Sequence, residues 1–232
     1  MFVPLHDHNP LAHIRFQYVT VTLIMANVLV FALFQSPLFG ARPEPAALSF
    51  GLIPVVLNDL RELAPQYVRV PEELTLASYM FLHGNWLHLG GNMLFLWVFG
   101  DNVEDAMGHF RFAIFYLACG IAAGLVHAFM LPQSDMPLVG ASGAVAGIIS
   151  AYLMLHPRVR VWGLFLGRIP LRISAAWALG FWIAVQIYSA AFTPAGQIAW
   201  WAHLGGIFAG IVLILIMRRS NVRLFDRDLA ET

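Results

Sequence analysis

Val139-Gly140-Ala141-Ser142-Gly143-Ala144-Val145-Ala146-Gly147 sets a serine among glycines, at the mouth of an apolar run that meets no charge until Arg158. A second stretch, Ala202-His203-Leu204-Gly205-Gly206-Ile207-Phe208-Ala209-Gly210, sets a histidine among glycines inside another apolar run. Polar side chains on such helices cost free energy inside a bilayer and mark a functional site by default. The two are read as a nucleophile and its base.

The surrounding composition fits a bilayer. Hydrophobic residues make up 59% of the 232-residue chain and charged residues 11%, against about 25% charged in a soluble domain. All 13 basic residues are arginine and the formal net charge is zero, which argues against nucleic acid as a partner. The single cysteine, Cys119, lies in an apolar run, so no intramolecular disulfide is expected and packing is its role. Residues 1–15, with His6, Asp7, His8 and Arg15, lack an apolar core and do not read as a cleavable signal peptide.

Uncharged runs of about 20 residues are long enough to cross the hydrocarbon. Six spans are expected, at about 16–35, 86–100, 112–130, 142–156, 173–192 and 200–217. The last two come from one long run, Ile173 to Met217, divided by the turn signal Thr193-Pro194-Ala195-Gly196-Gln197. Ser36 to Glu73 reads as a loop, with Leu48 to Leu57, broken by Gly51 and Pro54, suited to the interface. The fold class is therefore all-α: a segment 1–15, a polytopic membrane domain 16–217 and a tail 218–232. Arg15, Arg111, Arg158, Arg160, Arg168, Arg172, Arg218, Arg219, Arg223 and Arg227 fall on one side, and Arg42, Arg61 and Arg69 on the other. The richer side should be the cytoplasm, which makes both termini cytoplasmic; the membrane is expected to be a bacterial inner (plasma) membrane. Ser142 and His203 then share the outer side. The fourth span, fifteen residues, measures only about 22 Å. Ser142 should start below the outer surface, at the floor of a polar cavity, with the preceding loop dipping inward.

A serine hydroxyl needs a base to take its proton, and His203 is the candidate. His203, Gly206 and Gly210 share one helical face, and Gly143 and Gly147 lie beside Ser142. Both glycine pairs are G-x-x-x-G patterns that let membrane helices approach closely. With no Asp or Glu in either span, the pair is a dyad. The competing reading is a packing motif with Ser142 as a helix N-cap. A third segment opens His83-Gly84-Asn85-Trp86-Leu87-His88-Leu89-Gly90-Gly91-Asn92. His88 and Asn92, four apart, share a face and can donate to an oxyanion, as can the Ser142 backbone N–H at a helix start. His83, His88 and His203 are weighed as zinc ligands and set aside, because H-E-x-x-H is absent and the spans hold no acidic residue. No metal and no cofactor is expected. His6 and His8 read as solvated, His109 and His156 as interfacial, His127 as structural.

Gly140-Ala141-Ser142-Gly143, Ala202-His203-x-x-Gly206-x-x-x-Gly210 and His88-x-x-x-Asn92 together resemble the rhomboid family of intramembrane serine proteases. Phe81-Leu82-His83-Gly84, Phe99-Gly100-Asp101-Asn102-Val103-Glu104-Asp105 and Phe115-Tyr116-Leu117 extend the match through Thr75 to Gly210. The resemblance implies a six-helix bundle that cuts peptide bonds in or near transmembrane segments of membrane-protein substrates. It makes Ser142 the nucleophile, His203 the base, and His88, Asn92 and the Ser142 N–H the oxyanion donors. It also implies that span five and the loop after it act as a gate, although Trp177, Phe181, Trp182, Tyr188 and Phe192 there read mainly as lipid-facing or packing residues. Two positions depart from the family pattern. Leu74 and Thr75 stand where many members carry Trp-Arg, and Ala146 stands where some carry a tyrosine stacked on the histidine. Another ring can take over that stacking, and the sequence does not say which. The rival reading is a rhomboid-like protein that binds membrane-protein clients without cutting them, and a more distant one is a small transporter or channel.

Overall fold

The computed structural model describes residues 2–37, 40–165, 167–193 and 198–225. Beyond Thr193, the turn expected at 193–197 lies outside these residues, as do Arg227 and the end of the tail. The fold is mostly helical with a small sheet. A strand β1 (Phe2–Asp7) precedes helix α1 (Tyr18–Phe34). The first loop carries α2 (Pro43–Phe50), α3 (Pro54–Leu57) and α4 (Thr75–Ser78). Then come α5 (Trp86–Met107), α6 (His109–Met130) and α7 (Ser142–Leu155). A hairpin of β2 (Arg160–Phe165) and β3 (Ile169–Ser174) leads to α8 (Ala175–Phe192) and α9 (Trp200–Met217).

A helix lies at each of the six expected intervals, though the helices differ in length and apolarity. By length and composition, α6, α8 and α9 suffice to cross a membrane, while α1 and α7 are shorter apolar helices. Helix α5 begins at Trp86 because Asn85 caps it, its side-chain oxygen accepting the His88 backbone N–H at 2.8 Å. It runs two turns past the expected end at Gly100 and stops only at Gly108, whose φ of +84° an L side chain rarely adopts. The charges in those turns do not end the helix because the preceding chain takes them up. Glu104, fully buried, accepts the backbone N–H groups of Val19 and Thr20 at 3.0 and 2.8 Å and the Thr20 hydroxyl at 2.7 Å. It thereby caps α1, whose own N-terminal residue offers no side-chain cap. Asp105 accepts the N–H groups of Ala12, His13 and Ile14.

The sheet corrects the all-α expectation. β1 pairs antiparallel with β2 and β2 with β3. Within β2, exposed Arg160 and Trp162 alternate with buried Val161 and Gly163, a half-buried strand pattern hidden in sequence by the arginines. The N-terminal segment is thus docked: His6 and His8 are exposed, but Asp7 is buried and accepts the Tyr152 hydroxyl.

Helix α7 forms the centre. Eleven of its residues, among them every one from Gly143 to Tyr152, are buried, as expected of a helix apolar on all sides. Helices α6 and α9 pack against it and against each other, and α5 and α8 touch it as well.

Candidate active site

Ser142 is the first residue of α7, and the N-cap is Ala141, which makes no side-chain cap. The serine hydroxyl therefore does not serve as the cap. It meets His203 instead, with Oγ 3.0 Å from Nε2. The approach to Ser142 is pinned to the first loop. Leu52 and Leu138 exchange backbone hydrogen bonds at 3.1 and 2.7 Å, and the Gly140 N–H donates to the Tyr79 carbonyl at 3.0 Å. Leu138, Gly140 and Ala141 are buried, the setting in which irregular backbone is tolerated at membrane depth. Gly140 is required twice over. Its φ is +123°, and a Cβ there would lie 2.7 Å from the His88 ring and 3.6 Å from Asn92 Nδ2. That proximity brings His88 and Asn92 of α5 up to the turn that delivers Ser142.

Glycine packing sets the distance between α7 and α9. A Cβ on Gly206 would stand 2.9 Å from the Gly143 carbonyl carbon, and one on Gly210 would stand 2.7 Å from Gly147 Cα. The Ser150 hydroxyl adds a tie, directed at the carbonyls of Gly147 and Ile207 at 2.9 and 3.0 Å. The missing side chains of Gly143 and Gly147 also make room for α6, where Ala123 and Cys119 sit. The cysteine is buried packing, as its sequence context suggested.

His203 is buried, at 9% exposure. Its Nδ1 lies 2.8 Å from Gln186 Oε1 on α8. Trp182 tilts over the ring at 5.9 Å between centroids, and Trp200 meets it edge-on at 6.2 Å. Neither Gln186 nor the placement of these tryptophans against His203 emerges from the sequence. Gln186 is one polar residue in an apolar span, and nothing in the order of the chain says which helix faces the histidine. Ala146 offers no ring, and Trp182 and Trp200 are the aromatic rings that lie against His203. Trp177, Phe181, Tyr188 and Phe192 are all exposed, consistent with lipid-facing residues.

His83 is fully buried beside the site. Gln35 holds its backbone N–H and carbonyl, each at 2.9 Å. Its Nε2 lies 3.0 Å from Asn92 Nδ2, so Asn92 donates one amide hydrogen to His83 and keeps a second. Among the described residues, no group of three His, Cys, Asp or Glu side chains is arranged to hold a metal ion. A cavity of about 950 Å³ lies in the first loop, lined by Leu48, Ile53, Leu57, Arg61, Leu63 and Val70 among others, and the Ser142–His203 pair does not line it. Three separated segments thus place a hydroxyl against an imidazole nitrogen, with amide and imidazole donors alongside. That set is suited to acyl transfer.

The Rhomboid domain family matches residues 71–220. The chain is 30% identical over 172 residues to Rhomboid-like protein 11, chloroplastic, of Arabidopsis thaliana, covering 72% of this chain and 60% of the relative. It is 32% identical over 148 residues to Rhomboid protease AarA of Providencia stuartii (57% and 48%). It is 29% identical over 153 residues to Rhomboid protein 1, mitochondrial, of Saccharomyces cerevisiae (62% and 41%). The chain spans about half the length of the curated relatives it matches.

Proposed function

The chain belongs to the rhomboid family, and on that premise we propose that it is an intramembrane serine endopeptidase. The observation that carries the proposal is the 3.0 Å contact between Ser142 Oγ and His203 Nε2. In this reading His203 Nε2 takes the Ser142 proton as Oγ attacks the carbonyl carbon of a peptide bond. The resulting oxyanion accepts hydrogen bonds from Asn92, His88 and the Ser142 backbone N–H. His203 then passes its proton to the departing amine, the C–N bond breaks, and an ester on Ser142 remains. A water, deprotonated by the same imidazole, attacks that ester and frees the acid. Membrane proteins with a transmembrane segment near the cleaved bond are the proposed substrates. Relatives named as proteases, from Providencia stuartii and from Emericella nidulans, support this reading.

The chain is an integral membrane protein. We assign it six spans within residues 16–217, both termini to the cytoplasm and the whole to a bacterial inner membrane. Ten of the 13 arginines on one side support that orientation. Single cysteines introduced at Arg61 and at Arg160, in a chain whose own Cys119 is buried, should react with an impermeant maleimide from opposite sides of the membrane. Labelling from the same side refutes the topology.

The activity test is cleavage of a model transmembrane substrate in detergent or liposomes. Ser142→Ala and His203→Ala should each abolish cleavage while leaving the fold intact. Cleavage by either variant refutes the dyad. Client capture without cleavage by the unmodified chain would instead favour the non-proteolytic rhomboid-like reading.

A further inference from the structure

Besides Ser142, the His203 ring has a second hydrogen-bond partner, Gln186. Gln186 lies on α8 between exposed Val185 and Ile187, yet is itself only 3% exposed. Its amide makes two contacts. Nε2 donates to the Trp182 carbonyl at 3.0 Å, and Oε1 lies 2.8 Å from His203 Nδ1. The Trp182 carbonyl only accepts, so it discriminates between the two orientations of the amide. Were the amide turned over, Oε1 would face that carbonyl with no hydrogen between two acceptors. With the amide as it stands, Oε1 faces Nδ1 and needs a hydrogen there. Nδ1 must then be the N–H nitrogen and Nε2 the one with the free lone pair, turned toward Ser142 Oγ.

From this geometry, and resting on the dyad proposed above, we infer that Gln186 is a positioning residue. It locks His203 in the tautomer whose Nε2 can accept the serine proton. It does so with a neutral amide, where a soluble triad uses a carboxylate. A carboxylate in this apolar surrounding would have to be desolvated at far greater cost. The amide also orients the ring, because the Nδ1 contact and the tilted Trp182 both come from the same turn of α8. A purely structural glutamine would satisfy its own polar atoms and leave the imidazole alone.

The test compares Gln186→Leu with Gln186→Glu in the full-length protein. Leucine fills the space and removes the acceptor. Glutamic acid in its neutral form restores both contacts, the hydroxyl donating to Trp182 and the carbonyl oxygen accepting from Nδ1. On a model transmembrane substrate, Gln186→Leu should lower kcat by about 10- to 100-fold, no more than the low end of what a general base supplies because the imidazole itself remains, with KM changed less than about twofold. Gln186→Glu should recover most of that loss. Independently of any activity, nitrogen-15 spectra of histidine-labelled protein, with His203 assigned by comparison with His203→Ala, should show protonated Nδ1 and unprotonated Nε2. In Gln186→Leu the two tautomers should mix. An unchanged kcat and an unchanged tautomer in Gln186→Leu overturn the inference while leaving the protease reading standing. A protein that cuts nothing, yet shows the Gln186-dependent tautomer, refutes the protease reading and leaves the positioning role intact.

Discussion

Substituting Gly206 by alanine tests the separation of α7 and α9, on which the proposed chemistry depends. The added Cβ would sit 2.9 Å from the Gly143 carbonyl carbon and closer still to its oxygen. Carbon atoms in favourable contact stand about 3.5–4.0 Å apart. The obstacle is helix backbone, which cannot swing aside as a side chain can. Helix α9 must therefore retreat from α7 by about 1 Å. His203 lies one turn earlier on the same face and moves with it. The Oγ–Nε2 contact, 3.0 Å in the native structure, then stretches to about 4 Å, outside hydrogen-bonding range. A misplacement of about 1 Å can cost on the order of 100-fold in rate, so kcat for a transmembrane substrate should fall by about that factor. Overpacking of this kind typically destabilises by about 1–3 kcal/mol, so thermal unfolding in detergent must accompany the kinetics to show that the chain remains folded. Gly180→Ala on α8, where a Cβ would meet nothing within 4 Å, serves as the neutral control. A folded Gly206→Ala variant that cuts at the native rate refutes the claim that glycine packing sets the dyad distance.

Asn92→Ala should lower kcat by around 100-fold or less, as loss of a single oxyanion donor does; a native rate in the same assay removes Asn92 from the site. Glu104→Ala strands the half-buried N–H of Val19 and the buried N–H and hydroxyl of Thr20 and should lower stability by about 3 kcal/mol, read as a drop in the unfolding temperature. Burial raises the Asp7 carboxyl above its ordinary 3.8, against the Tyr152 hydroxyl, His6 and His8, which act to lower it. A raised folded-state value means that docking of β1 is strongest below the unfolded value and weakens as pH rises through the folded one. Hydrogen-exchange protection of residues 2–7, corrected for intrinsic rate, should therefore decline as pH rises above the ordinary carboxylate range. In Asp7→Asn that decline should disappear.

Much of this molecule is legible in the chain because a bilayer permits so few solutions. Backbone groups in hydrocarbon must bond within their own segment, so uncharged runs become helices, and Trp86, Ser142, Trp200 and Met217 fall at helix ends where the pattern puts them. The reading fails where the chain leaves that regime. The β2–β3 hairpin carries four arginines within or beside it and looks like a solvated connection, yet its alternation pairs it with the N-terminal strand. The carboxylates Glu104 and Asp105 look like charges that end a span. In fact they extend α5, because residues 12–20 come back to satisfy them.

The same division holds at the site. Ser142, His203, His88 and Asn92 stand out in sequence because polar side chains are rare and costly in apolar helices, and because glycines at spacings of three and four mark faces of close approach. Local spacing carries that information. It carries none about which side chain of a separate helix turns toward His203. The 2.8 Å contact of Gln186, the tilt of Trp182 against the His203 ring, and the contact of Gly206 with Gly143 are set by how α7, α8 and α9 pack against one another. Chemistry-bearing residues are determined one at a time by composition and spacing, whereas distance, orientation and tautomer are relations between helices, and only the packed structure decides them.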